Sequence, residues 1–243
     1  MTRHLSVVGL LVLAGLAGCS RRTPSTPALR ATAAGSALIL SSGDKQLGTA
    51  GSPLPQPLVV QVNDDQGNGV PGALVRFSAP AGVSFEPAAA LTDSNGQATT
   101  NVTLADSSGR YEVVASSADK KGKQLVLQVS ELAAGYQQLL GYELQRQYCS
   151  RCHNPDSTPE QVSNYDNLAV KPHAFAEGDT FNKLSDSDLN AIVSHGGPAL
   201  NLSALMPAYG STLSETDIRA VIAYVRLVSD PPYQAPGLVY AKR

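Results

Sequence analysis

The five residues Cys149-Ser150-Arg151-Cys152-His153 form the strongest chemical signal in the sequence. Two thiols two residues apart on a turn can form thioether bonds to the two vinyl groups of one haem, and the histidine that follows can bind the iron. A redox-active dithiol would need a βαβ context, and a zinc site would need further ligands. The motif therefore predicts one covalent haem c, attached through Cys149 and Cys152, with His153 as the proximal iron ligand.

A second iron ligand is expected later in the chain, and Met206 is the best candidate. It is the only methionine besides Met1, and Pro207 follows it directly. A methionine that fills a core usually lies in a periodic apolar pattern, whereas Met206 lies in a predicted loop. His195 is the main rival and His173 a weaker one, but His195 ends a predicted helix, where an imidazole favours the helix dipole. A thioether ligand would raise the reduction potential of the iron.

Predicted helices surround these ligands. The first runs from about residue 133 to 148 and leads directly into the cysteines. Two later segments each place a serine three residues before an aspartate, an acidic variant of the capping box. These pairs are Ser185 with Asp188 and Ser214 with Asp217. The helix after Ser185 would stop at Gly196-Gly197, and the last helix would run to about Val228, so this part of the chain is predicted to be all-α.

Residues 132–230 resemble the class I cytochromes c. The matching segments are Gly141-Tyr142-Glu143-Leu144, the cysteine motif, Met206-Pro207-Ala208-Tyr209-Gly210 and Ala223-Tyr224-Val225. The resemblance implies a small all-α domain around one covalent haem that moves single electrons, with Gly141 packed against Tyr224. Because both axial positions would be filled, the sequence predicts an electron-transfer protein and not an enzyme.

The sequence departs from the family pattern directly after His153. Asn154-Pro155-Asp156-Ser157-Thr158-Pro159 stands where the family often has a Gly-x-x-Gly-Pro-like loop. A hydrogen-bond acceptor for the ring proton of the proximal histidine is expected. The sequence leaves open whether Pro155, Pro159 or neither of them supplies it.

Residues 37–131 have a different character from the haem region. Short runs rich in Val, Leu, Thr and Phe alternate with turn residues at regular intervals, which predicts a β-sandwich of about seven strands. The region resembles the bacterial immunoglobulin-like repeats of the invasin and intimin adhesins. The resemblance rests on the segments 43–49, 57–62, 69–72 and 92–98. It implies a spacer or adhesion module and says nothing about a ligand.

The first residues are predicted to be a targeting segment. Leu5 to Ala17 form an apolar run that is too short to span a membrane, and Leu16-Ala17-Gly18-Cys19 resembles the bacterial lipoprotein box. We therefore expect residues 1–18 to be a signal peptide, Cys19 to be lipidated and residues 19–36 to form a flexible tether. The alternative is an ordinary signal peptide in which Cys19 is incidental. Residues 231–243 are expected to form a tail.

Charge and composition limit the partners. The formal net charge is −2, with no basic cluster large enough for nucleic acid. From residue 132 onward, eleven Asp and Glu stand against eight Lys and Arg, which favours a partner with a basic docking patch. The expected function is a membrane-anchored electron carrier in the cell envelope, at the periplasmic face of a membrane. Ser20 favours the outer membrane if the organism is Gram-negative.

The expected partner is a dehydrogenase, an oxidase or another cytochrome. An alternative function remains open, in which the immunoglobulin-like region recognises a surface and the haem senses redox state or a gas. Ligand binding to the ferrous iron would separate this alternative from the electron carrier.

Overall fold

The computed structural model describes residues 29–154 and 162–236, which form a β-sandwich followed by a helical region. This confirms the predicted fold class. The predicted signal peptide, Cys19, Pro155 and Pro159 lie outside the described residues. Within the described ranges, no helix has both the length and the apolar character needed to cross a bilayer.

From residue 29 onward, where the described part of the chain begins, nine strands form the sandwich in two sheets. They are β1 (Ala37–Ser42), β2 (Leu47–Thr49), β3 (Leu58–Asn63), β4 (Leu74–Ser78), β5 (Ser84–Glu86), β6 (Ala89–Leu91), β7 (Gln97–Thr103), β8 (Gly109–Ala118) and β9 (Gln124–Ala134). One sheet has the order β1-β3-β7-β5 and the other β2-β9-β8-β4-β6. The pairs are antiparallel except β2 with β9. The strand number exceeds the expected seven because β2, β5 and β6 have only three residues each, too few to show an alternating pattern.

The core of the sandwich follows from period-two alternation in the longer strands. In β3, Leu58, Val60 and Val62 are buried while the residues between them are partly exposed. The same alternation puts Val75 and Phe77 of β4 on the inner face of the other sheet. Apolar side chains of both sheets therefore meet in one cluster, as aligned sandwich packing requires.

The chain reaches the sandwich at the end that carries the β8–β9 turn. Gly35 forms a bridge with Asp119 of that turn. Closer to the N-terminus, the Thr32 N–H donates to the Gly72 carbonyl at 2.9 Å. Residues 32–36 are thus held on the sandwich, although the sequence placed them in a flexible tether.

The helical region is attached at the opposite end. Strand β9 starts beside the turn at Gln124 and ends at Ala134, and its eleven residues span about 35 Å at the usual rise of a strand. Its last three residues, Leu132 to Ala134, pair with β2. This pairing explains why the first helix starts at Tyr136 and not at residue 133, because buried strand partners outweigh local helix propensity.

Glu131 is a fully buried carboxylate near that end of the sandwich. Its Oε2 accepts the Gln46 N–H at 2.8 Å, whereas Oε1 has no hydrogen-bond partner among the described residues. Burial raises the pKa of Glu131 to about 7, the Gln46 hydrogen bond opposes the rise, and the charge of Asp44 adds to it. Because the folded state favours the protonated form, this residue should lower stability as the pH rises from about 4.5 to 7.

Replacing Glu131 by glutamine is therefore expected to remove a pH dependence of the free energy of unfolding. Between pH 4.5 and 8 the difference in the free energy of unfolding between Glu131→Gln and the unsubstituted protein should move by about 3 kcal/mol in favour of the variant, since one pKa unit is worth about 1.4 kcal/mol. Urea unfolding followed by far-UV circular dichroism measures it. Glu86→Gln, at an exposed position of β5, is the control, and parallel pH profiles for Glu131→Gln and the unsubstituted protein would contradict the expectation.

In residues 135–154 and 162–236, the described part of the second region, there are five α-helices and two 3-10 helices. The α-helices are α1 (Tyr136–Tyr148), α2 (Ser150–His153), α3 (Gly178–Phe181), α4 (Asp186–His195) and α5 (Glu215–Val228), and the 3-10 helices are Tyr165–Asn167 and Gly197–Leu200. Both predicted capping boxes are confirmed, at Ser185 with Asp188 and at Ser214 with Asp217. The predicted ends at Gly196 and Val228 are also confirmed.

Helices α1 and α5 cross at Gly141. A Cβ atom added there would overlap the Ala220 carbonyl oxygen and press on the Cβ of Tyr224. Beside the crossing, the Tyr142 and Tyr224 rings lie 5.6 Å apart between centroids. The predicted contact between Gly141 and Tyr224 is confirmed, and it allows α5 to approach α1, the helix that leads into the cysteine motif.

Candidate functional site

The cysteine motif lies where α1 ends and the chain turns into α2. The Cys149 N–H still donates to the Gln145 carbonyl of α1 at 2.8 Å. The Cys149 carbonyl then accepts the N–H groups of Cys152 and His153, both at 3.0 Å. A single helical turn is therefore closed around Cys149, and it brings the two thiols and the imidazole to the same part of the molecule.

The two thiols are unpaired and partly buried. Burial, and then the neighbouring Cys152, raises the pKa of Cys149 to about 12. The Cys149 thiol is therefore protonated at neutral pH, whereas a catalytic dithiol needs a low pKa to form the thiolate nucleophile. This favours attachment of a cofactor over thiol–disulfide exchange.

A cavity of about 520 Å³ lies next to the motif, and Cys149, Cys152, His153 and Met206 all line it. Its other walls are mainly apolar and come from α3, α4, α5 and the loop before α3. They include Phe175, Phe181, Leu189, Ile192, Val221 and Ile222. Cofactor-sized ligands usually occupy apolar cavities of roughly 300–1,000 Å³. Two thiols and two iron-binding side chains around such a cavity fit a covalently bound haem.

His153 is oriented by a backbone carbonyl and by an aromatic ring. Its Nδ1 lies 2.8 Å from the His173 carbonyl oxygen, so Nδ1–H donates and the Nε2 lone pair is available to a metal. The Phe175 ring is stacked on the imidazole, with 4.7 Å between centroids and 12° between planes. Burial lowers the pKa of His153, while the hydrogen bond to His173 opposes this. The neutral imidazole, which is the form that binds iron, is thus favoured.

The acceptor left open by the sequence is therefore the His173 carbonyl. Glu177 fixes the turn that presents it, because its carboxylate accepts the Ala174 N–H at 2.8 Å and lies 2.7 Å from Nδ1 of His173. These hydrogen bonds, that of His173 foremost, lower the pKa of Glu177. The His173 ring is thus engaged with Glu177, and its backbone belongs to the proximal side of the site. The sequence does not predict the His173 carbonyl as the acceptor, because every residue type has a backbone carbonyl.

The loop that carries Met206 is held against the end of α4. The Gly197 N–H donates to the Met206 carbonyl at 3.1 Å, and the Tyr209 N–H donates to the Val193 carbonyl at 2.9 Å. The Tyr209 hydroxyl donates to the Tyr148 carbonyl at 2.8 Å, beside Cys149. The loop is therefore tied both to α4 and to the helix that precedes the cysteine motif. The sequence does not predict this tyrosine bond.

The two candidates for the sixth iron ligand differ in whether they line the cavity. Met206 is half-buried and lines the cavity. His195 is exposed at the C-terminal end of α4 and is not among the residues that line the cavity. The arrangement favours Met206 as the ligand and gives His195 the helix-end position expected from the sequence.

Two family models match the chain, one for each region. Residues 55–129 match the bacterial Ig-like domain (group 1), and residues 137–225 match cytochrome c oxidase, cbb3-type, subunit III. The chain therefore carries a bacterial Ig-like domain followed by a cytochrome c domain. No curated protein sequence has significant similarity to the chain.

Solved structures resemble part of the chain. They include the D00-D0 domain of Intimin, with 20% identity over 40% of this chain and 45% of that chain, at a TM-score of 0.31. The Yersinia pseudotuberculosis adhesin InvE is 18% identical over 40% of this chain and 32% of that chain, at a TM-score of 0.30. The E. coli chaperone DraB is 11% identical over 44% and 62%, at a TM-score of 0.33. The chain spans less than half the length of the Intimin structure.

Proposed function

We propose that the protein is a lipid-anchored c-type cytochrome that carries single electrons in the cell envelope. The observation that supports this most strongly is the presence of Cys149, Cys152, His153 and Met206 on the walls of one apolar cavity. A haem bound there would supply a reversible one-electron change at its iron. The protein would hold the haem through Cys149 and Cys152, with His153 oriented by the His173 carbonyl, Met206 supplied by the loop after α4, and water excluded by the apolar walls.

The sandwich would act as a spacer between membrane and haem. The N-terminal segment is bound at one end of the sandwich, at Gly35 and Asp119, and the cytochrome c domain follows Ala134 at the other. Lipid on Cys19 would anchor the chain, and several acyl chains on one residue hold a protein firmly. The haem would then stand clear of the lipid headgroups on the periplasmic side of a membrane, the outer one in a Gram-negative organism.

The partner we propose is a dehydrogenase, an oxidase or another cytochrome with a basic surface around its own redox centre. The excess of acidic residues from residue 132 onward supports this choice, because complementary charge raises association rates and orients short-lived complexes. Nucleic acid is not proposed as a partner.

The match of residues 55–129 to a bacterial Ig-like domain favours one second candidate, a surface protein that uses the sandwich for recognition and the haem for sensing. A sensor of gases needs an open iron position. Met206 on the cavity wall favours the electron carrier instead. High-affinity binding of carbon monoxide to the reduced native protein would support the sensor.

Visible spectroscopy on detergent extracts of membranes tests the proposal. The extract should contain a haem c that is oxidised and reduced reversibly by one electron, with a sulfur-to-iron charge-transfer band in the oxidised form. A Cys19→Ser variant should carry the same haem in the soluble fraction. A spectrum without haem would refute the carrier, and a Cys19→Ser variant still in the membrane fraction would refute the lipid anchor.

A further inference from the structure

Arg110 of β8 reaches from the sandwich to the cytochrome c domain. Val113 and Ala115 of the same strand point into the core, so the alternation along β8 puts Arg110 on the outer face of the five-stranded sheet. Its Nη1 donates to the Ser130 Oγ at 3.0 Å. Its Nη2 donates across the domain boundary to the carbonyls of Val228 and Ser229, at 3.3 and 3.1 Å.

These two carbonyls belong to the C-terminal end of α5. The last carbonyls of a helix lack partners within the helix and carry the negative end of its dipole. A guanidinium supplies both the missing donors and a positive charge there. The Nε of Arg110 is buried without an acceptor among the described residues, which costs free energy. The bonds of its two Nη groups must therefore outweigh this cost.

The residues that Arg110 contacts are fastened to the rest of the cytochrome c domain. Ser229 is fully buried, and its Oγ donates to the Val225 carbonyl at 2.7 Å. Directly after it, the Asp230 N–H donates to the Ala176 carbonyl at 2.8 Å, and the Gly178 N–H donates back to the Asp230 carbonyl at 3.0 Å. Because residues 228–230 are hydrogen-bonded to the segment around Ala176, a restraint on them acts on the whole domain, including the turn that holds His153.

The covalent connection between the domains is also short. Gly135 alone separates the last residue of β9 from the first residue of α1. Cα atoms of both α1 and α5 come within 8 Å of Cα atoms of β9. The helical domain is thus attached to the sandwich at α1 by the chain and at α5 by Arg110. Two separate attachments prevent rotation about the single linking residue.

We infer that Arg110 clamps the two domains into one rigid body, so that the sandwich fixes the direction in which the haem cavity faces. The inference concerns the polypeptide alone and goes beyond the proposed electron carriage. It holds whichever ligand the iron has and whichever partner the protein meets.

Nitrogen-15 relaxation of the full-length, haem-loaded protein without its signal peptide and with Cys19→Ser tests the clamp. In this parent protein, amides of both domains should report one common rotational correlation time. Arg110→Gln is expected to abolish it, giving each domain its own shorter correlation time. Arg110→Lys keeps the charge but loses the fork of donors, so a partial separation is expected. Arg76→Gln is the matched control, because Arg76 is exposed on the same outer face in β4, and it should keep the common correlation time.

A common correlation time in Arg110→Gln, equal to that of the parent protein, would overturn the inference. If Arg110→Gln does not fold, Arg110→Lys provides the decisive variant, since a single ammonium cannot reach Ser130 and both carbonyls of Val228 and Ser229 as the guanidinium does. Separation of the two correlation times in Arg110→Lys would support the clamp, and a common value equal to that of the parent protein would overturn it. The visible spectrum of each sample reports the haem independently, so failure of the clamp and failure of the proposed carrier are distinguishable.

Discussion

Replacing both Cys149 and Cys152 by serine is expected to abolish covalent haem attachment. A serine hydroxyl cannot replace the thiol sulfur in a thioether bond, so any haem in the variant would be held only by axial ligands and apolar packing. Acidified acetone should then extract all haem from the double variant and none from the unsubstituted protein. Haem staining after denaturing electrophoresis gives the same comparison.

Three control variants show whether the loss of covalent haem is specific to the two cysteines of the motif. Cys149→Ser and Cys152→Ser should each retain haem through one thioether, at reduced yield. Cys19→Ser should retain full staining because Cys19 lies far along the sequence from the motif. Haem that resists extraction from the double variant, or that is extracted from the unsubstituted protein, would exclude this mode of attachment.

Replacing Met206 by alanine is expected to lower the reduction potential and open the iron to external ligands. Loss of the thioether removes the ligand that favours the ferrous state. We expect a fall on the order of 0.1–0.3 V, a part of the roughly 0.8 V range that axial ligands control. Spectroelectrochemical titration measures the potential, and the charge-transfer band of the oxidised protein should disappear. The reduced variant should bind carbon monoxide.

His195→Ala is the comparison that decides between the two candidate ligands. The His195 side chain is exposed at the end of α4 and does not line the cavity, so its removal should leave the potential and the charge-transfer band unchanged. If His195→Ala lowered the potential and Met206→Ala did not, the histidine would be the ligand and our choice would be wrong.

The sequence predicted those features that depend on local pattern. The capping box at Ser185 and Asp188 is confirmed because it requires only residues three apart. The predicted start of α1, at about residue 133, is too early because residues 132–134 pair with β2, which lies far away in the sequence. The sequence also did not predict that the His173 carbonyl accepts the His153 hydrogen bond or that Arg110 contacts α5. Both depend on tertiary placement of backbone acceptors, which carry no residue-type signal.

The chain enters and leaves the sandwich at opposite ends. Further sandwich domains would therefore each lengthen the distance between the membrane anchor and the haem. The N-terminal segment is bound beside Asp119 and the chain leaves after Ala134, so a second sandwich placed before the first would stack in series with it. Each added copy would extend the reach by about one strand length of 35 Å. Only the copy next to the cytochrome c domain would need an arginine at the position of Arg110. Reach and haem chemistry could therefore change independently in this architecture, by duplication of one module.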